Sequence, residues 1–431
     1  MARACVKAGL IGFGTIGAGV VKLFKNSSER ISRKSGVKVE LVKICDLDIK
    51  RDRGVKVEKS MLTTDVNEII NNPEIDIVIE LMGGYKPACD FVLKAINNGK
   101  SVVTANKAMI SKYWDELYAA CAKNSVEIMA EASVGGGIPI LRGLDKGLAA
   151  NRIEKVIGIL NGTCNYILTK MSQEKLSFEQ ALKQAQELGF AEADPTLDIE
   201  GFDTQHKLII LSKMSFGGKL SANDVHVEGI SKVKDMDIQN ADELGYVMKL
   251  LAIGERVEGG VNARVHPALV EKSRLLASVN NEYNAIYVKG DAVGETMFYG
   301  KGAGEMPTAS AVMSDVIYLA KNIANNVKPV FAAPAKKKKA AKIVKMDEIK
   351  SKFYLRFNVR DSAGTLAKIA GILGANDISI ESVLQKARHT HEKVPVVIMT
   401  YEAKEANMRK ALKKIDALPV VKEKTVVYRV V

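Results

Sequence analysis

The chain has 431 residues, 47% of them hydrophobic and 26% charged, which allows a buried core and suggests two or three domains. No apolar run approaches the roughly 20 residues of a membrane span, and the N-terminus runs directly into a glycine-rich turn, so we expect neither a membrane protein nor a secreted or fibrous one. Five separated cysteines without a CxxC pair predict a reducing compartment, the cytoplasm, and argue against a disulfide framework or a zinc knuckle.

The net charge of +13 raises the question of a nucleic-acid partner. Six of these charges come from one short stretch, Lys336–Lys339 with Lys342 and Lys345, and the rest of the chain carries +7. We interpret the stretch as a solvated basic linker and predict no nucleic-acid binding. The alternative is a non-catalytic amino-acid sensor that binds nucleic acid through these lysines.

Short apolar runs alternate with helical patterns over residues 1–130. The predicted strands are 6–11, 38–45, 75–81, 101–104 and 126–130, and the predicted helices are 16–25, 66–71, 86–97 and 114–123. Such alternation indicates right-handed βαβ units. We therefore predict an α/β fold with a Rossmann-type doubly wound parallel sheet in this domain.

The turn after the first predicted strand is a GxGxxG, formed by Gly12, Phe13, Gly14, Thr15, Ile16 and Gly17. In this context Gly12 permits the tight turn, Gly14 lets the backbone approach a pyrophosphate, and Gly17 lets the helix pack on the strand. The helix that follows would direct its N–H groups at the phosphates. The pattern predicts a dinucleotide cofactor, and a purely structural βα turn is the alternative.

Asp46 ends the second predicted strand, where an acid accepts the ribose hydroxyls of NAD. It lies 29 positions after Gly17, further than the usual ~20, because a polar stretch lengthens the connection. Lys50, Arg51 and Arg53 follow closely and suit a 2′-phosphate. We predict NADP as the cofactor, with NAD as the alternative.

Lys107 follows the strand predicted at 101–104. Ligands bind beyond the carboxyl ends of strands in doubly wound sheets. Lys107 is therefore a candidate active-site residue, with an ordinary surface lysine as the alternative.

Residues 131–304 read as an α+β domain, to which the family resemblance given below assigns substrate binding and dimerisation, and a helix over 305–325 is predicted to pack back on the first domain. The predicted helices of this domain are 177–188 and 203–214, and its predicted strands are 261–265, 285–288 and 296–299.

An acidic loop precedes the second of these helices and contains Glu192, Asp194 and Asp198. Asp203 and Lys207 are four residues apart and share a helix face. In a cleft, the carboxylate would orient an ammonium that transfers a proton. A charged, solvated helix entry is the alternative.

A Lys/Ala-rich stretch, 331–347, is the predicted linker to a third domain at 348–431. The third domain reads as strands 352–359, 378–386, 394–401 and 420–430 with helices 365–373 and 408–418. The order βαββαβ is the ferredoxin-like arrangement.

Together these motifs resemble the homoserine dehydrogenase family. The residues that carry the resemblance are GFGTIG (12–17), TANK (104–107), EASVGGGIPI (131–140), NGTCNY (161–166), GFAEADPTLDIEGFDTQHKLIIL (189–211) and GKGAGEMPTASAV (300–312). The third domain resembles an ACT domain, a regulatory appendage of this family.

The resemblance implies the reversible interconversion of L-homoserine and L-aspartate 4-semialdehyde with NADP or NAD. Lys207 then matches the proton donor, Asp203 the residue that orients it, and Lys107 a lysine near the nicotinamide and substrate. Glu192 and Asp198 match acids that contact the substrate. Gly302 matches a cofactor contact, as do Phe13, Thr15 and Ile16.

The resemblance also implies a structural sodium ion. Its site corresponds to Glu131 with the main-chain carbonyls of Val134, Gly136 and Ile138, and oxygen ligands suit such a hard cation.

In ACT domains two turns form an amino-acid site between paired copies, with helix-start N–H groups on the carboxylate. The corresponding residues are Asp361, Gly364, Leu366, Asn376 and Ile378. We expect L-threonine as the feedback effector, with an oligomerisation module that binds no ligand as the alternative. The family implies a homodimer or a homotetramer.

A different dehydrogenase that acts on another semialdehyde is a further alternative. Such an enzyme would need a cysteine nucleophile, for which Cys164 is the candidate.

Overall fold

The structure is a computed structural model of the chain, and it describes residues 4–329, 342–385 and 394–431. The lysines at 336–339, most of the predicted linker, and Lys386 at the end of one predicted strand lie outside the described residues. Among the helices of the described part, none combines the length and the apolar character that a membrane crossing requires.

Residues 4–160 form strands and helices in alternation. The strands are β1 (Cys5–Ile11), β2 (Lys38–Cys45), β3 (Leu62–Thr63), β4 (Ile77–Glu80), β5 (Ser101–Thr104), β6 (Ile128–Met129) and β7 (Ile153–Ile159). The helices are α1 (Thr15–Asn26), α2 (Ser28–Ser35), α3 (Asn67–Ile70), α4 (Ala88–Asn97), α5 (Lys107–Asn124) and α6 (Ile140–Arg142).

Residues 161–329 contain most of the longer helices and a long β-hairpin. The helices are α7 (Gly162–Gln173), α8 (Phe178–Glu187), α9 (Thr196–Ile199), α10 (Phe202–Phe216), α11 (Asp235–Glu243) and α12 (Glu305–Ala324). The strands are β8 (His226–Val227), β9 (Tyr246–Val257), β10 (Gly260–Glu271), β11 (Tyr283–Gly290) and β12 (Gly294–Lys301).

The C-terminal part has the predicted βαββαβ order with one added two-residue strand. Its elements are β13 (Lys350–Val359), α13 (Thr365–Gly374), β14 (Ile380–Gln385), β15 (Val394–Thr400), β16 (Ala403–Lys404), α14 (Glu405–Ile415) and β17 (Val426–Val430).

The chain divides into two compact units, each made of three segments. Unit 1 comprises Met1–Leu160, His206–Ala222 and Tyr283–Ala340, and unit 2 comprises Asn161–Gln205, Asn223–Glu282 and Ala341–Val431.

Unit 1 is built on a six-stranded parallel sheet with the order β3-β2-β1-β4-β5-β6. Strands β4 and β5 are buried along their whole length, as expected where helices cover both faces. Helix α12 packs on α1, where Glu305 and Ala309 approach Gly19 and Lys22 pairs with Glu305 at 2.6 Å. Strands β12, β11 and β7 add an antiparallel ribbon. The predicted Rossmann-type sheet is confirmed.

Unit 2 contains a mixed sheet with the order β9-β10-β17-β13-β15-β14. Its last strand, β17, lies between β10, which it meets in parallel, and β13, which it meets antiparallel. A core of Phe353, Phe357, Ile369 and Ile398 holds α13 and α14 on the sheet of the third domain. That domain therefore shares one sheet with the strands that precede it in the chain.

Helix α2 falls in a stretch that the sequence analysis treated as a polar connection. Only Ile31 and Ser35 on it are buried, so its apolar signal is weak. Gly36 ends it in the left-handed region at φ 73°. This helix accounts for the long interval between Gly17 and Asp46.

Candidate active site

The glycine-rich turn has the geometry that a pyrophosphate needs. Gly12 has φ 98°, and a Cβ there would lie 2.7 Å from the backbone of Leu81. A Cβ on Gly17 would lie 2.3 Å from the carbonyl oxygen of Gly12, so only glycine allows this contact. At Gly14, by contrast, no described residue comes within 4 Å of the position of a Cβ. The first turn of α1 carries no acid, so its N–H groups suit an anion.

Asp46 points back to this turn from the end of β2. Its Oδ2 accepts a hydrogen bond of 2.6 Å from the N–H of Phe13, and its Oδ1 accepts one from the N–H of Asp48. The guanidinium of Arg53 lies 3.4 Å from Oδ1 and 6.0 Å from the ring of Phe13. Arg51 is exposed, and its N–H donates to Asp48. The cation beside Asp46 is therefore Arg53, while Arg51 stands further out.

A buried acid organises the carboxyl edge of the parallel sheet. Glu80, at the end of β4, is fully buried; it accepts hydrogen bonds from the N–H groups of Met82 and Gly83 and from the Thr104 hydroxyl at 2.6 Å. Desolvation raises its pKa, and these donors oppose the shift. Glu80 thus fastens the loop after β4 to the end of β5.

Asn106 continues this network to Lys107. Its amide Nδ2 donates to the carbonyl of Gly84, and its Oδ1 caps α5 by accepting from the N–H of Met109. Lys107 is the first residue of α5 and is half-buried. The structure therefore places Lys107 at the sheet edge where the sequence predicts it.

Helix α10 is fastened to the same edge through His206. Nε2 of His206 lies 3.0 Å from the hydroxyl of Tyr85, and the two rings meet edge to face. The ammonium of Lys112 lies 4.7 Å from the centre of the Tyr85 ring. The residue that precedes Lys207 is thus held against the loop after β4.

Lys207 itself is buried, with 9% of its surface exposed. Its Nζ donates a hydrogen bond of 2.6 Å to the carbonyl of Leu160, the residue that follows β7. A buried ammonium held by a main-chain acceptor is directed rather than solvated, which suits proton transfer at a defined atom. Asp203 lies one helical turn earlier on α10, so the two side chains emerge on the same face.

Asn161 in unit 2 joins two of the predicted acids. Its Nδ2 donates to Asp198 at 2.6 Å and to Asp203 at 2.8 Å, and its Oδ1 caps α7 through the N–H of Cys164. Asp203 is buried and Asp198 is half-buried on α9. The two N–H bonds of the amide thus draw two carboxylates toward one point and offset part of their mutual repulsion.

The rest of the acidic loop is more open. Glu192 and Asp194 are exposed, and Gln186 donates to the main-chain carbonyl of Glu192. The Asp194 carboxylate accepts from the N–H and the hydroxyl of Thr196; these bonds lower its pKa and fix the start of α9. Glu192 is therefore free of the helix cap and faces solvent.

Glu131 caps α6 with its side chain. Its carboxylate oxygens accept 2.8 Å hydrogen bonds from the N–H groups of Leu141 and Arg142. Desolvation raises the pKa of this buried carboxyl, opposed by the same N–H groups. The segment that follows turns sharply, with φ of 71° at Gly135 and 55° at Gly136. Each carboxylate oxygen accepts one of these bonds and has a second lone pair, so they leave Glu131 able to contribute to the predicted sodium site.

Gly302 lies against this segment and against Asn284. A Cβ on Gly136 would lie 2.4 Å from the carbonyl oxygen of Gly302, and one on Gly302 would lie 2.0 Å from Nδ2 of Asn284. Among the described residues, neither polar atom of the buried Asn284 side chain finds a hydrogen-bond partner. Unpaired buried polar atoms beside Gly302 fit a bound polar group, as a cofactor or cation would provide.

The predicted regulatory residues lie at both ends of α13. Gly364 is the N-cap at φ 80°, with Asp361 and the exposed Leu366 beside it. At the other end, the amide of Asn376 donates to the carbonyl of Ile372, and Ile378 is buried in the core. The helix has ten residues, a length of ~15 Å. One copy of the domain therefore does not bring the two turns together.

The described residues favour neither a metal site built from side chains nor Cys164 as a nucleophile. Throughout the described ranges, no group of three or more His, Cys, Asp or Glu side chains has the arrangement of a metal site. Cys164 is fully buried in the first turn of α7, and its Sγ lies 3.2 Å from the carbonyl oxygen of Asp198. A nucleophile would need access that this position lacks.

Four residues that hold candidate site residues in place were not predicted from the sequence: Glu80, Tyr85 and His206 in unit 1, and Asn161 in unit 2. Asn161 and His206 stand inside quoted motifs, but their partners are far away in the chain. A single acid at the end of an apolar strand was the available signal for Glu80.

Three family models match the chain. The one described as "Homoserine dehydrogenase, NAD binding domain" matches residues 12–131, the one described as "Homoserine dehydrogenase" matches 139–317, and an "ACT domain" model matches 353–420.

Relatives match over nearly the full length. The chain is 42% identical to a homoserine dehydrogenase of Neisseria gonorrhoeae, covering 97% of both chains, and 41% identical to one of Bacillus subtilis, covering 99% of this chain and 98% of the other. A solved homoserine dehydrogenase from Thiobacillus denitrificans superposes with a TM-score of 0.93 at 40% identity, covering 99% of this chain and 98% of that one.

An archaeal relative bears on the cofactor. A hyperthermophilic archaeal homoserine dehydrogenase, solved in complex with NADPH, superposes with a TM-score of 0.62 at 27% identity, covering 73% of this chain and 97% of that one.

By the family models and the relatives at about 40% identity, this chain belongs to the homoserine dehydrogenase family: it is an NAD(P)-dependent oxidoreductase with a C-terminal ACT domain.

Proposed function

We propose that the chain reduces L-aspartate 4-semialdehyde to L-homoserine, reversibly, in the cytoplasmic synthesis of threonine, methionine and isoleucine, and that Lys207 and Lys107 form its catalytic centre. The observation that carries the proposal is the attachment of α10. The Tyr85–His206 hydrogen bond holds the residue before Lys207 to the same sheet edge at which Asn106 presents Lys107. Two amines on segments fastened to one cofactor-binding edge suit carbonyl reduction.

The nicotinamide, when bound, supplies the hydride to the aldehyde carbon or accepts it from the alcohol. As the aldehyde is reduced, negative charge develops on its oxygen. Lys207 stabilises this charge and donates a proton to the oxygen, and Lys107 adds a second positive charge. The Leu160 carbonyl orients the Lys207 ammonium, and Asp203 lies one turn away to do the same from its carboxylate.

The substrate's amino-acid end would be held by the acidic loop. Asp198 and Asp203 share the Asn161 amide, and their carboxylates would accept from a substrate hydroxyl or ammonium. Glu192 is exposed on the same loop and is the residue that we assign to the ammonium. Charge-assisted contacts of this kind favour a zwitterionic substrate over a plain aldehyde.

We further propose NADP as the preferred cofactor. Residues 12–17 would hold the pyrophosphate, and the Asp46 carboxylate, with Arg53 beside it, would face the ribose. Arg53 and Arg51 place positive charge where a 2′-phosphate would sit, and Gly302 adds a contact with the cofactor. The archaeal relative solved in complex with NADPH supports this choice by analogy.

A sodium ion held by Glu131 and the main-chain carbonyls of Val134, Gly136 and Ile138 would order the loop before α6. Positive φ values at Gly135 and Gly136 turn successive carbonyls, and oxygen ligands suit sodium. Its role would be structural, because no reacting group depends on it.

The ACT domain would respond to L-threonine in paired copies of the chain, consistent with a homodimer or a homotetramer. The two predicted ligand turns lie at opposite ends of α13, so a site that uses both needs two copies. A module for association alone is the competing proposal.

One spectrophotometric experiment tests the catalytic proposal. Purified protein is incubated with L-aspartate 4-semialdehyde and NADPH or NADH, and absorbance at the nicotinamide band is followed with and without threonine. We expect turnover that depends on the semialdehyde, and faster turnover with NADPH. Absence of turnover with either cofactor, in both reaction directions, would reject the proposed reaction.

A further inference from the structure

Arg429 connects the last strand of unit 2 to two acids. It lies on β17, which pairs with β10 on one side and β13 on the other. Its Nε and Nη2 bond to the Glu405 carboxylate on α14, and its Nη1 lies 3.0 Å from Glu228. The side chains of Arg429 and Glu405 are 8% and 6% exposed, so this pair interacts with little solvent screening, whereas the Glu228 side chain is 38% exposed.

Glu228 stands outside the ACT domain, directly after the short strand β8. Its carboxylate also receives a 2.6 Å hydrogen bond from Nε2 of His226. Burial alone would raise the pKa of Glu228, but the bond from His226 and the charge of Arg429 lower it to about 2. Glu228 is therefore ionised, and it connects β17 to residues 228–230, the segment that begins with Glu228.

This segment is packed directly on the acidic loop. The N–H of Ile230 donates a 2.7 Å hydrogen bond to the carbonyl of Ile199, the last residue of α9. Gly229 is so close that a Cβ would lie 2.3 Å from the same carbonyl oxygen and 2.5 Å from Cα of Glu200. Such backbone-to-backbone packing passes a displacement of residues 228–230 directly to α9.

Helix α9 in turn carries Asp198, one residue before Ile199. The Asp198 carboxylate is held by the Asn161 amide at 2.6 Å, and that amide also holds Asp203. A continuous set of contacts inside unit 2 thus runs from Arg429 through Glu228, Ile230 and Ile199 to Asp198.

We propose that Arg429 and Glu228 are positioning residues that hold the substrate-binding acid Asp198 in place from the last strand of the ACT domain. The inference rests on the proposed function, because Asp198 must bind the substrate for its position to matter. The Arg429–Glu228 bond fixes residues 228–230, these fix α9, and α9 sets the distance of Asp198 from Asp203. Loosening the bond leaves the nucleotide turn and Lys207 untouched, so it weakens substrate binding selectively.

A second anchor of the ACT domain provides a matched control. The guanidinium of Arg356 on β13 makes two hydrogen bonds, of 2.5 and 2.9 Å, to the Asp237 carboxylate on α11, and Tyr354 adds a third. This anchor is also buried and charged, but it reaches α11 rather than α9. Loss of the Arg356–Asp237 anchor therefore shows the effect of a general weakening of the attachment of the ACT domain.

The test compares Glu228→Gln, Arg429→Lys and their double variant with Asp237→Asn in the full-length enzyme. For Glu228→Gln we expect about a tenfold rise in the KM for homoserine, the effect of losing one charge-assisted contact. We expect kcat and the KM for the cofactor to change by less than about twofold. Each single variant breaks the same Arg429–Glu228 bond. The double variant should therefore raise the KM for homoserine no more than the single variant with the larger effect does. Asp237→Asn should lower the melting temperature while the KM for homoserine stays at the wild-type value.

Two results would overturn the inference in an enzyme whose wild type is active. One is an unchanged KM for homoserine in both Glu228→Gln and Arg429→Lys; the other is an equal rise in Asp237→Asn, which would mean that general loosening is responsible. If Glu228→Gln does not fold, Arg429→Lys, which keeps the charge and the pair to Glu405, still decides the point. A wild type without turnover would instead reject the proposed function.

Discussion

The hydroxyl of Tyr85 and Nε2 of His206 lie 3.0 Å apart, which joins the loop after β4 to helix α10. The loop belongs to the nucleotide-binding sheet, and the helix carries the proposed proton donor one residue later. This side-chain hydrogen bond therefore links the proposed cofactor edge to the helix that carries the proposed proton donor. Its contribution can be measured.

Tyr85→Phe removes that bond and little else. We expect a fall in kcat of about 3- to 10-fold, the effect of one net hydrogen bond on the placement of Lys207. Tyr113→Phe is the matched control, since the Tyr113 ring also faces the Lys112 ammonium, at 5.2 Å. Steady-state rates with saturating semialdehyde check the prediction, and equal effects of the two substitutions would contradict it.

Lys207→Ala should lower kcat by about 100- to 10,000-fold, the range that a positioned acid or base contributes. Lys213 lies on the same helix. Its side chain is nearly buried, and its Nζ lies 4.0 Å from Oδ2 of Asp115. Lys213→Ala should therefore keep its activity while losing some stability. Circular dichroism of both variants would check that they are folded. Near-wild-type turnover of Lys207→Ala would show that this residue takes no part in the chemistry.

Arg53→Ala should shift the cofactor preference toward NADH. Because Arg53 is the cation beside Asp46, we expect kcat/KM for NADPH to fall about 10- to 100-fold and that for NADH to change little. Arg51→Ala should show a smaller shift, since Arg51 is further out and exposed. The ratio of kcat/KM values for the two cofactors is the measurement, and an unchanged ratio in both variants argues against a 2′-phosphate contact.

Lys249 predicts a pH dependence of stability. It is almost fully buried, with acceptors on Asn165, Val279 and Asn280, and desolvation lowers its pKa to about 7 from 10.5. Above pH 7 the folded protein binds fewer protons at this site than the unfolded chain does. Stability therefore rises with pH between 7 and about 10.5, by roughly 5 kcal/mol at most.

Lys249→Met removes this titration. The difference in melting temperature between wild type and variant, measured from pH 6.5 to 9.5, should grow with pH in favour of the wild type. Other groups titrate equally in both proteins and cancel. A constant difference across this range would show that the lysine keeps an ordinary pKa.

Gly364→Ala tests the proposed effector site. Gly364 caps α13 at φ 80°, a conformation that alanine adopts with strain, so the N–H groups at the helix start should move. We expect threonine binding, measured by calorimetry, to weaken at least tenfold with unchanged basal turnover. Gly374→Ala at the other end of α13 is the control, because the space around it is open. Absence of heat from threonine in the wild type would favour the association module.

Sequence patterns predicted those features of the candidate site that depend on residues close together in the chain. The glycine turn, the strand that ends just before Asp46 and the strand at 101–104 that precedes Lys107 depend on neighbours within a few residues, and the structure has all three. The Asn161 bridge depends on acids 37 and 42 residues away, and Arg429 meets Glu228 across 201 residues. Such pairs arise from topology, above all from the position of β17, for which the sequence carries no periodic signal.

The central position of β17 has a consequence for any attempt to detach the ACT domain. Protease cleavage within residues 331–341 would break the covalent connection, yet main-chain bonds from β17 to β10 and the Arg356–Asp237 pair would keep the fragments associated. Grafting a foreign regulatory module at the same point would leave β10 with an uncovered edge, prone to adhesion with other chains. Modular exchange in this architecture must therefore retain β17, the strand that joins the ACT domain to β10.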